Sequence, residues 1–328
     1  MAQERVEGDV WIPPGVNVGL DKKTLKSLMR RRDGISLLRA FLCFGSLVLL
    51  GIAYAASFGS WMFWPMLLLF GGATSLTVYS LSHECAHGTV FRTRWLNESF
   101  FWLTSLLFGQ EVLYRRYSHA THHTYTMYVG RDLQMPITQP AGALEYAVWY
   151  SGVFYYAQFL KLLLIHSLGH FSEQTRRFMP SGELARMKRN CRVFLIVYAA
   201  AAALSIYFHS GFLLWFWLLP KLAGDPIMMA FAGSQHFEKQ ENTHDLRQST
   251  RSLRPNPIID LFYWNMSYHI EHHIHPTVPY HALPKLHVHV RDQLPETRSV
   301  VGATAEVVRL WRQRTLSERR PAPTLENG

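Results

Sequence analysis

ISLLRAFLCFGSLVLLGIAYAASF, residues 35–58, carries a single charge, Arg39, close to its start. About 20 predominantly apolar residues in a helix cross the hydrocarbon core of a bilayer, which is about 30 Å thick. This run is long enough, so lipid is the solvent against which the chain is read. After the connector GSW a second run, MFWPMLLLFGGATSLTVYSL at 62–81, ends just before Ser82 and a histidine. So short a connector makes the pair an antiparallel hairpin.

Two further runs, VFLIVYAAAAALSIYF at 193–208 and FLLWFWLLPKLAGDPIMMAFAG at 212–233, flank HSG and predict a second hairpin. The interruption from Lys221 to Pro226 makes 212–233 the weakest of the four. ESFFWLTSLLFG at 98–109 is too short to span and reads as interfacial or re-entrant. Residues 145–169 are apolar and aromatic but hold Lys161 and His166, which suits an interfacial segment as well as a spanning one.

Composition agrees with a membrane protein. The 328 residues are 48% hydrophobic and only 17% charged, below the roughly 25% usual in soluble domains. The net charge of +10 could suggest nucleic acid, but the basic residues sit in blocks between apolar runs rather than along one face. Arg30, Arg31 and Arg32 precede the first run; Arg92, Arg94, Arg115 and Arg116 follow the second; a basic segment from Arg176 to Arg192 precedes the third. The positive-inside rule places all of these on the cytoplasmic side. GSW and HSG lack Lys and Arg and fit the opposite face. Cys43, Cys85 and Cys191 form no CxxC pair and imply no disulfide framework. The polar N-terminus does not read as a removable signal peptide.

The expected fold is an all-α integral membrane protein: about four transmembrane helices in two hairpins, with a cytoplasmic helical cap built from 83–192 and 234–290. Residues 1–34 form a cytoplasmic N-terminal segment, 35–290 the membrane domain, and 291–328 a cytoplasmic C-terminal segment ending in a disordered tail. In this topology HECAH at 83–87, HATHH at 119–123 and HIEHH at 269–273 share one side of the membrane.

Residues three and four apart share a helical face. His83 and His87 form such a pair; His119 matches His122 and His123, and His269 matches His272 and His273, at both spacings. One such pair alone is often a surface accident. Eight imidazoles on one side exceed what a single tetrahedral zinc uses, so a dinuclear centre fits better. Imidazole suits Zn, Cu, Fe or Ni, and the spacing does not choose among them. Ligating imidazoles give their second N–H to a nearby acceptor, for which Glu84, Asp132, Asn265 and Glu271 are candidates. His166, His170, His209, His275, His281, His287 and His289 are left without a role.

One HxxxH box followed by two HxxHH boxes around paired hairpins resembles the membrane fatty acid desaturase and hydroxylase superfamily, over about residues 35–290. SHECAHGTVFRTRWLNESF and WNMSYHIEHHIHPTVPYHALPKLH are similar to its bacterial members. The resemblance implies two iron ions at His83, His87, His119, His122, His123, His269, His272 and His273, with O2 as co-substrate. It also implies a further ligand after the last span, a place occupied by His236; His244 in the same loop is a weaker candidate. The implied reaction is desaturation or hydroxylation of a lipid or fatty acyl chain in a bacterial inner membrane. Relatives with the same centre decarboxylate fatty acids to alkenes, ketolate or hydroxylate carotenoids, or oxidise small non-lipid molecules, and these stay open. No GxGxxG, flavin or CxxC iron–sulfur pattern is visible, so electrons come from a soluble ferredoxin- or rubredoxin-like donor. A His-rich metal transporter or haem protein is the alternative of another class. Transport is disfavoured because its ligands belong at the bilayer midplane.

Overall fold

The computed structural model describes residues 16–135 and 139–318. The expected C-terminal tail lies, beyond Glu318, outside them, as does the start of the N-terminal segment. Among the described residues the secondary structure is helical apart from one isolated bridge between Leu253 and Arg298.

After a short helix α1 (Lys22–Leu28), the first hairpin is α2 (Asp33–Ala56) and α3 (Phe63–Ala86). Both are long and apolar enough to cross a membrane. The lipid-side residues of α2, among them Leu38, Phe41, Leu49 and Ile52, are exposed on the protein itself. α3 runs past the expected end at Leu81 and carries the first histidine box in its last turn. Asp33, at the start of α2, accepts from the Thr93 N–H at 3.0 Å and the Thr93 hydroxyl at 2.7 Å, tying that end to the loop after the box.

α4 (Arg94–Phe108) is the short apolar segment; it lies against α3 and stops at Gly109, whose φ of 91° suits glycine. α5 (Val112–Thr124) carries the second box. Its N-cap Glu111 accepts the Tyr114 N–H and also the Asn190 side chain, both at 2.7 Å, which anchors the helix to the later one that carries Asn190. The aromatic segment resolves into α6 (Ala143–Tyr150) and α7 (Val153–Leu168), bent by 66° about Gly152. Together they are apolar enough to be one broken span or a re-entrant loop.

α8 (Glu173–Phe178) leads to α9 (Leu184–Tyr207), which with the turn before it is the third candidate span. The expected last span differs from a simple helix. It opens as a wide π turn at Leu214–Leu218 and continues as α10 (Leu219–Ser234) with Pro226 inside. Proline removes one backbone donor and disturbs the helical ladder. Length and apolarity alone therefore single out three spans, or four if α6 and α7 count as one. α10 packs along α3 at glycine contacts. A Cβ on Gly71 would collide with the Pro220 carbonyl, and one on Gly224 with the Gly71 carbonyl. Small residues let backbones in lipid approach this closely.

The remaining helices are α11 (Leu246–Ser249), α12 (Pro257–Tyr263), α13 (His269–Ile274), α14 (Leu283–Val290) and α15 (Val300–Glu318). α12 starts at Asn256, which caps the Ile258 and Ile259 N–H groups, with Pro257 in the first turn. It ends where Trp264 and Asn265 turn through positive φ, 49° and 56°. That reversal sends α13, the third box, back towards α3 and α5. Val18, Leu20 and Leu28 pack on Val278, Leu283 and Leu286, and Ala303 and Val307 of α15 join the core of α10, so both flanking segments are docked.

Gly224→Ala should lower the unfolding temperature in detergent and cost about 1–3 kcal/mol, the usual effect of overpacking. Gly45→Ala, on α2 with nothing within 4 Å of the added carbon, should not destabilise. Equal melting of the two variants would show that the α3–α10 approach carries no such weight.

Candidate metal centre

α3, α5, α13 and the turn after α10 bring their histidines to one place. His83 lies in the last turn of α3 and His87 caps it; box two fills the end of α5; box three is most of α13; His236 follows α10 by two residues. Ring centroids of His83 and His119 are 4.0 Å apart and those of His123 and His273 4.2 Å. The nitrogens sort into two groups, each with its atoms within 4.8 Å of one another: His83, His87, His119, His123 and His272, and His122, His236 and His273. His269 adjoins the second group, its Nε2 2.9 Å from that of His236. The split follows from helix geometry. Neighbouring residues point about 100° apart, so His122 and His123 face different groups, as do His272 and His273.

The other ring nitrogens fix the tautomers. His122 Nδ1–H donates to the Asp132 carboxylate at 2.7 Å, and His119 Nδ1 to the Gln134 carbonyl oxygen at 2.8 Å. His236 Nδ1 faces the Ser249 carbonyl at 3.4 Å. The Thr126 hydroxyl already donates to the His122 carbonyl, so it accepts from His273 Nδ1 at 3.1 Å. In all four rings the Nε2 lone pair is thereby turned inward. His119 Nε2 meets His87 Nε2 at 2.9 Å and His123 Nε2 at 3.1 Å, while His272 Nε2 and His273 Nε2 are buried with no hydrogen-bond partner. Two imidazole nitrogens at right angles on one ion, each about 2.1 Å from it, lie about 3 Å apart. Inward-facing ring nitrogens at that separation have the spacing of ligands on one ion, and the donor set fits metal ions.

Burial, reinforced by neighbouring imidazoles or cationic side chains, holds His119, His123, His236, His269, His272 and His273 well below the usual imidazole range. His87 is pulled down to about 3, by burial first and by Arg115 second. Neutral imidazole is the form that binds metal.

The acidic candidates divide. Asp132, besides His122, accepts backbone N–H groups of Met127, Gln134 and Met135, so one carboxylate orders the loop and the ring together. Glu84 lies 3.3 Å from His272 Nδ1 and 3.8 Å from His83 Nδ1. Glu271 turns away from the rings of its own box to the Ser252 hydroxyl, 2.6 Å, and to His287. Asn265 bonds the Tyr280 carbonyl and Arg39 instead of an imidazole; its role is to brace the turn before box three. His209 and His244 are exposed.

Gln134, Thr126 and the Ser249 carbonyl went unnoticed at the level of sequence, since polar loop residues at irregular spacing carry no signal. His287, left without a role there, touches Glu271, and Gln235 beside His236 pins box three through the Met266 carbonyl at 2.8 Å and the Tyr263 hydroxyl at 3.0 Å. A cavity of about 490 Å³ abuts the centre, with His83, His122, His236 and His269 in its wall and Phe108, Trp149, Tyr155 and Phe159 among its aromatic lining.

Comparison with known proteins bears on this arrangement. The sequence profile of the family described as fatty acid desaturase matches residues 59–304. The chain is 24% identical over 256 residues, 70% of its length and 68% of the relative's, to an sn-1 acyl-lipid omega-3 desaturase (ferredoxin) of Synechocystis sp.. It is 21% identical over 259 residues, 73% and 72% of the two chains, to an sn-1 oleoyl-lipid 12-desaturase of Anabaena variabilis. A fatty acid conjugase of Calendula officinalis is 23% identical over 258 residues, 69% and 67% of the two chains.

Asp132→Asn should weaken metal binding roughly 10–100-fold, the usual cost of losing a partner behind a ligating imidazole, with helix content unchanged. Chelator competition measures it; unchanged affinity would remove Asp132 from the site. A second expectation concerns pH. The unfolded chain protonates its histidines near 6.5, whereas the folded, metal-stripped protein keeps these rings neutral until lower pH. Stability is then unaffected above about pH 7 and falls as pH drops through 6.5. Melting of stripped protein from pH 7.5 to 5 should show that decline, and a flat profile would contradict buried neutral rings.

Proposed function

Because the chain belongs to the fatty acid desaturase family, we propose that it removes hydrogen from an acyl chain with O2 and two irons held by His83, His87, His119, His122, His123, His236, His269, His272 and His273. It is an integral membrane enzyme of that family and acts on lipid acyl chains. The observation that carries the metal assignment is the inward turn of four Nε2 lone pairs, those of His119, His122, His236 and His273, from three segments of the chain. Iron bound there supplies an oxidant able to break an unactivated C–H bond.

The chain's own residues do the rest. Asp132, Gln134, Thr126 and the Ser249 carbonyl hold rings in one tautomer, and Glu84 stands behind His272 and His83. The aromatic cavity aligns an acyl chain against the histidine wall and keeps bulk water from it. Proximity of that kind can replace much of the entropic cost of reaction. The printed activities of the relatives support desaturation over hydroxylation.

Electrons arrive from a ferredoxin-like protein, a reading supported by the Synechocystis relative's name. Exposed Arg30, Arg31, Arg32, Arg92 and Arg94 lie near the histidine end of α2 and α3 and would complement an acidic donor. The same residues favour a cytoplasmic centre in a bacterial inner membrane, with both termini on that side. Residues 35–290 form the catalytic domain, with 1–34 and 291–328 flanking it.

The test is metal quantification and product identification on one preparation. Two irons per chain, no porphyrin absorption, and a new double bond in an acyl chain under O2 and reductant are expected. One zinc per chain or a haem band would overturn the reading. Alanine at any of the eight box histidines should abolish turnover while membrane insertion persists, and His209→Ala should change neither. Full activity in a His119, His122 or His123 variant would refute the ligand set.

A further inference from the structure

Two helical faces wall the cavity beside the metal centre along its length. From Gly152, the N-cap of α7, the lining residues Tyr156, Phe159 and His166 follow at intervals of four, three and seven and share one face. On α10 the lining pairs Met228 and Met229, then Ala232 and Gly233, lead to His236 in the same way. The two ends of these walls differ. Among the described lining residues the exposed ones are all polar, Gln158, Lys161, Ser172 and Gln174, and they sit together past the first turn of α7 and at α8. At the other end Trp149, Met228 and Met229 are no more than 4% exposed, and Gly152 is buried.

That buried end has a rigid floor. Gly152 backs onto Asp225, which precedes Met228 by three residues on α10, and a Cβ on Gly152 would come within 2.8 Å of the Asp225 Cβ. Asp225 is itself held, because Ser75 Oγ donates to its Oδ1 at 2.8 Å and Lys221 Nζ stands 3.8 Å from the same oxygen. Ionisable side chains this far into a membrane keep such partners. Lys221 Nζ also covers the rings of Tyr156 and Phe108, at 4.3 and 5.4 Å, and so fills the gap between α7 and α4. Immediately before Asp225, the Gly71–Gly224 contact brings α3 and α10 together at their backbones, and no space continues between them. The histidines stand at a fixed height above this floor. Ser75 precedes His83 by eight residues on α3, and Met228 precedes His236 by as many; at 1.5 Å per residue this is about 12 Å. An extended chain advances about 1.2 Å per bond, so roughly ten bonds fit between floor and metal ligands.

We propose that the acyl chain enters methyl end first and comes to rest on the floor made by Gly152, Met228 and Met229, so that the bond oxidised is selected by its distance from the methyl end. This rests on the acyl-chain reading above and deepens it. The head group stays at the exposed mouth, beside Lys161 and Gln158. A blind apolar end accepts a methyl group favourably, whereas an ester and its head group would be stripped of water there without partners. Lengthening the substrate then adds carbons at the mouth and none at the floor.

The experiment supplies iron-loaded protein with O2 and reductant in phosphatidylglycerol nanodiscs whose acyl chains have 16, 18 or 20 carbons, and locates the new double bond by mass spectrometry. Its distance from the methyl end should stay constant, at roughly ten carbons or fewer, while its distance from the carboxyl end grows with the chain. A constant distance from the carboxyl end would overturn the proposal. Met229→Trp raises the floor and should move the bond about two carbons towards the methyl end, at about 1.2 Å per bond. Met229→Ala lowers the floor and should move it the other way, which keeps the test open if the larger residue prevents folding. An unmoved bond in either folded variant would also overturn the proposal. A binding measurement needs no turnover. Phosphatidylglycerol brominated on the last carbon of its chain should quench Trp149, read as the quenching lost in Trp149→Phe, more strongly than the lipid brominated on carbon 3. Equal quenching, or stronger quenching from carbon 3, would refute the orientation. Failure of the broader reading looks different, because no acyl chain would then be oxidised while the quenching still reports which end of the chain lies at the floor.

Discussion

Imidazole nitrogens turned towards one another across about 3 Å are the constraint on which this molecule turns. Nine histidines, most of them buried, come from α3, α5, α13 and the end of α10, and several have their only proton tied outward. Without a cation such an arrangement leaves buried ring nitrogens, those of His272 and His273 among them, without a partner. With one, every inward nitrogen gains a partner. Metal binding is then coupled to the stability of the cap, as in other proteins whose ligand sets are assembled only by folding.

The scaffold serves that convergence. The glycine contact of α10 with α3 sets the end of α10, from which His236 meets His122, His269 and His273, and Gln235 in turn holds the chain just before box three. Glu111 fixes the start of α5 to α9, so the second box is aimed by a helix outside the cluster. Trp264 and Asn265 reverse the chain through a region that L residues seldom adopt, and Asn265 is secured by Tyr280 and Arg39. Local strain of this kind persists where surrounding contacts over-determine it.

Periodic features were readable in the sequence; pairings across the fold were not. The apolar runs gave α2 and α3 nearly as expected, while α9 starts at Leu184, nine residues before the expected 193; the i, i+4 pairs His83/His87, His119/His123 and His269/His273 stay together, whereas the i, i+3 pairs His119/His122 and His269/His272 are split. The 66° bend at Gly152 and the π turn before α10 were not readable, because both depend on how an aromatic segment meets its neighbours. Spacing also could not divide the histidines into two groups, since that requires the relative rotation of three helices. Of the four proposed partners behind the rings, Asp132 and Glu84 face imidazoles, Glu271 faces His287, and Asn265 braces a turn. Gln134 and Thr126 lacked any pattern that sequence could offer.

Arg115 and Arg251 show two ways in which this fold carries a buried charge. Arg251 donates through Nη1 to the Ser234 and Phe237 carbonyls and lies 3.4 Å from Glu306, while its Nε and Nη2, like those of Arg115, have no hydrogen-bond partner. Arg115 has one long bond to Gln110, the company of the Tyr79 hydroxyl and two aromatic faces. Cation–π contacts contribute roughly 0.5–2 kcal/mol, well short of the several kcal/mol that an ion loses on leaving water.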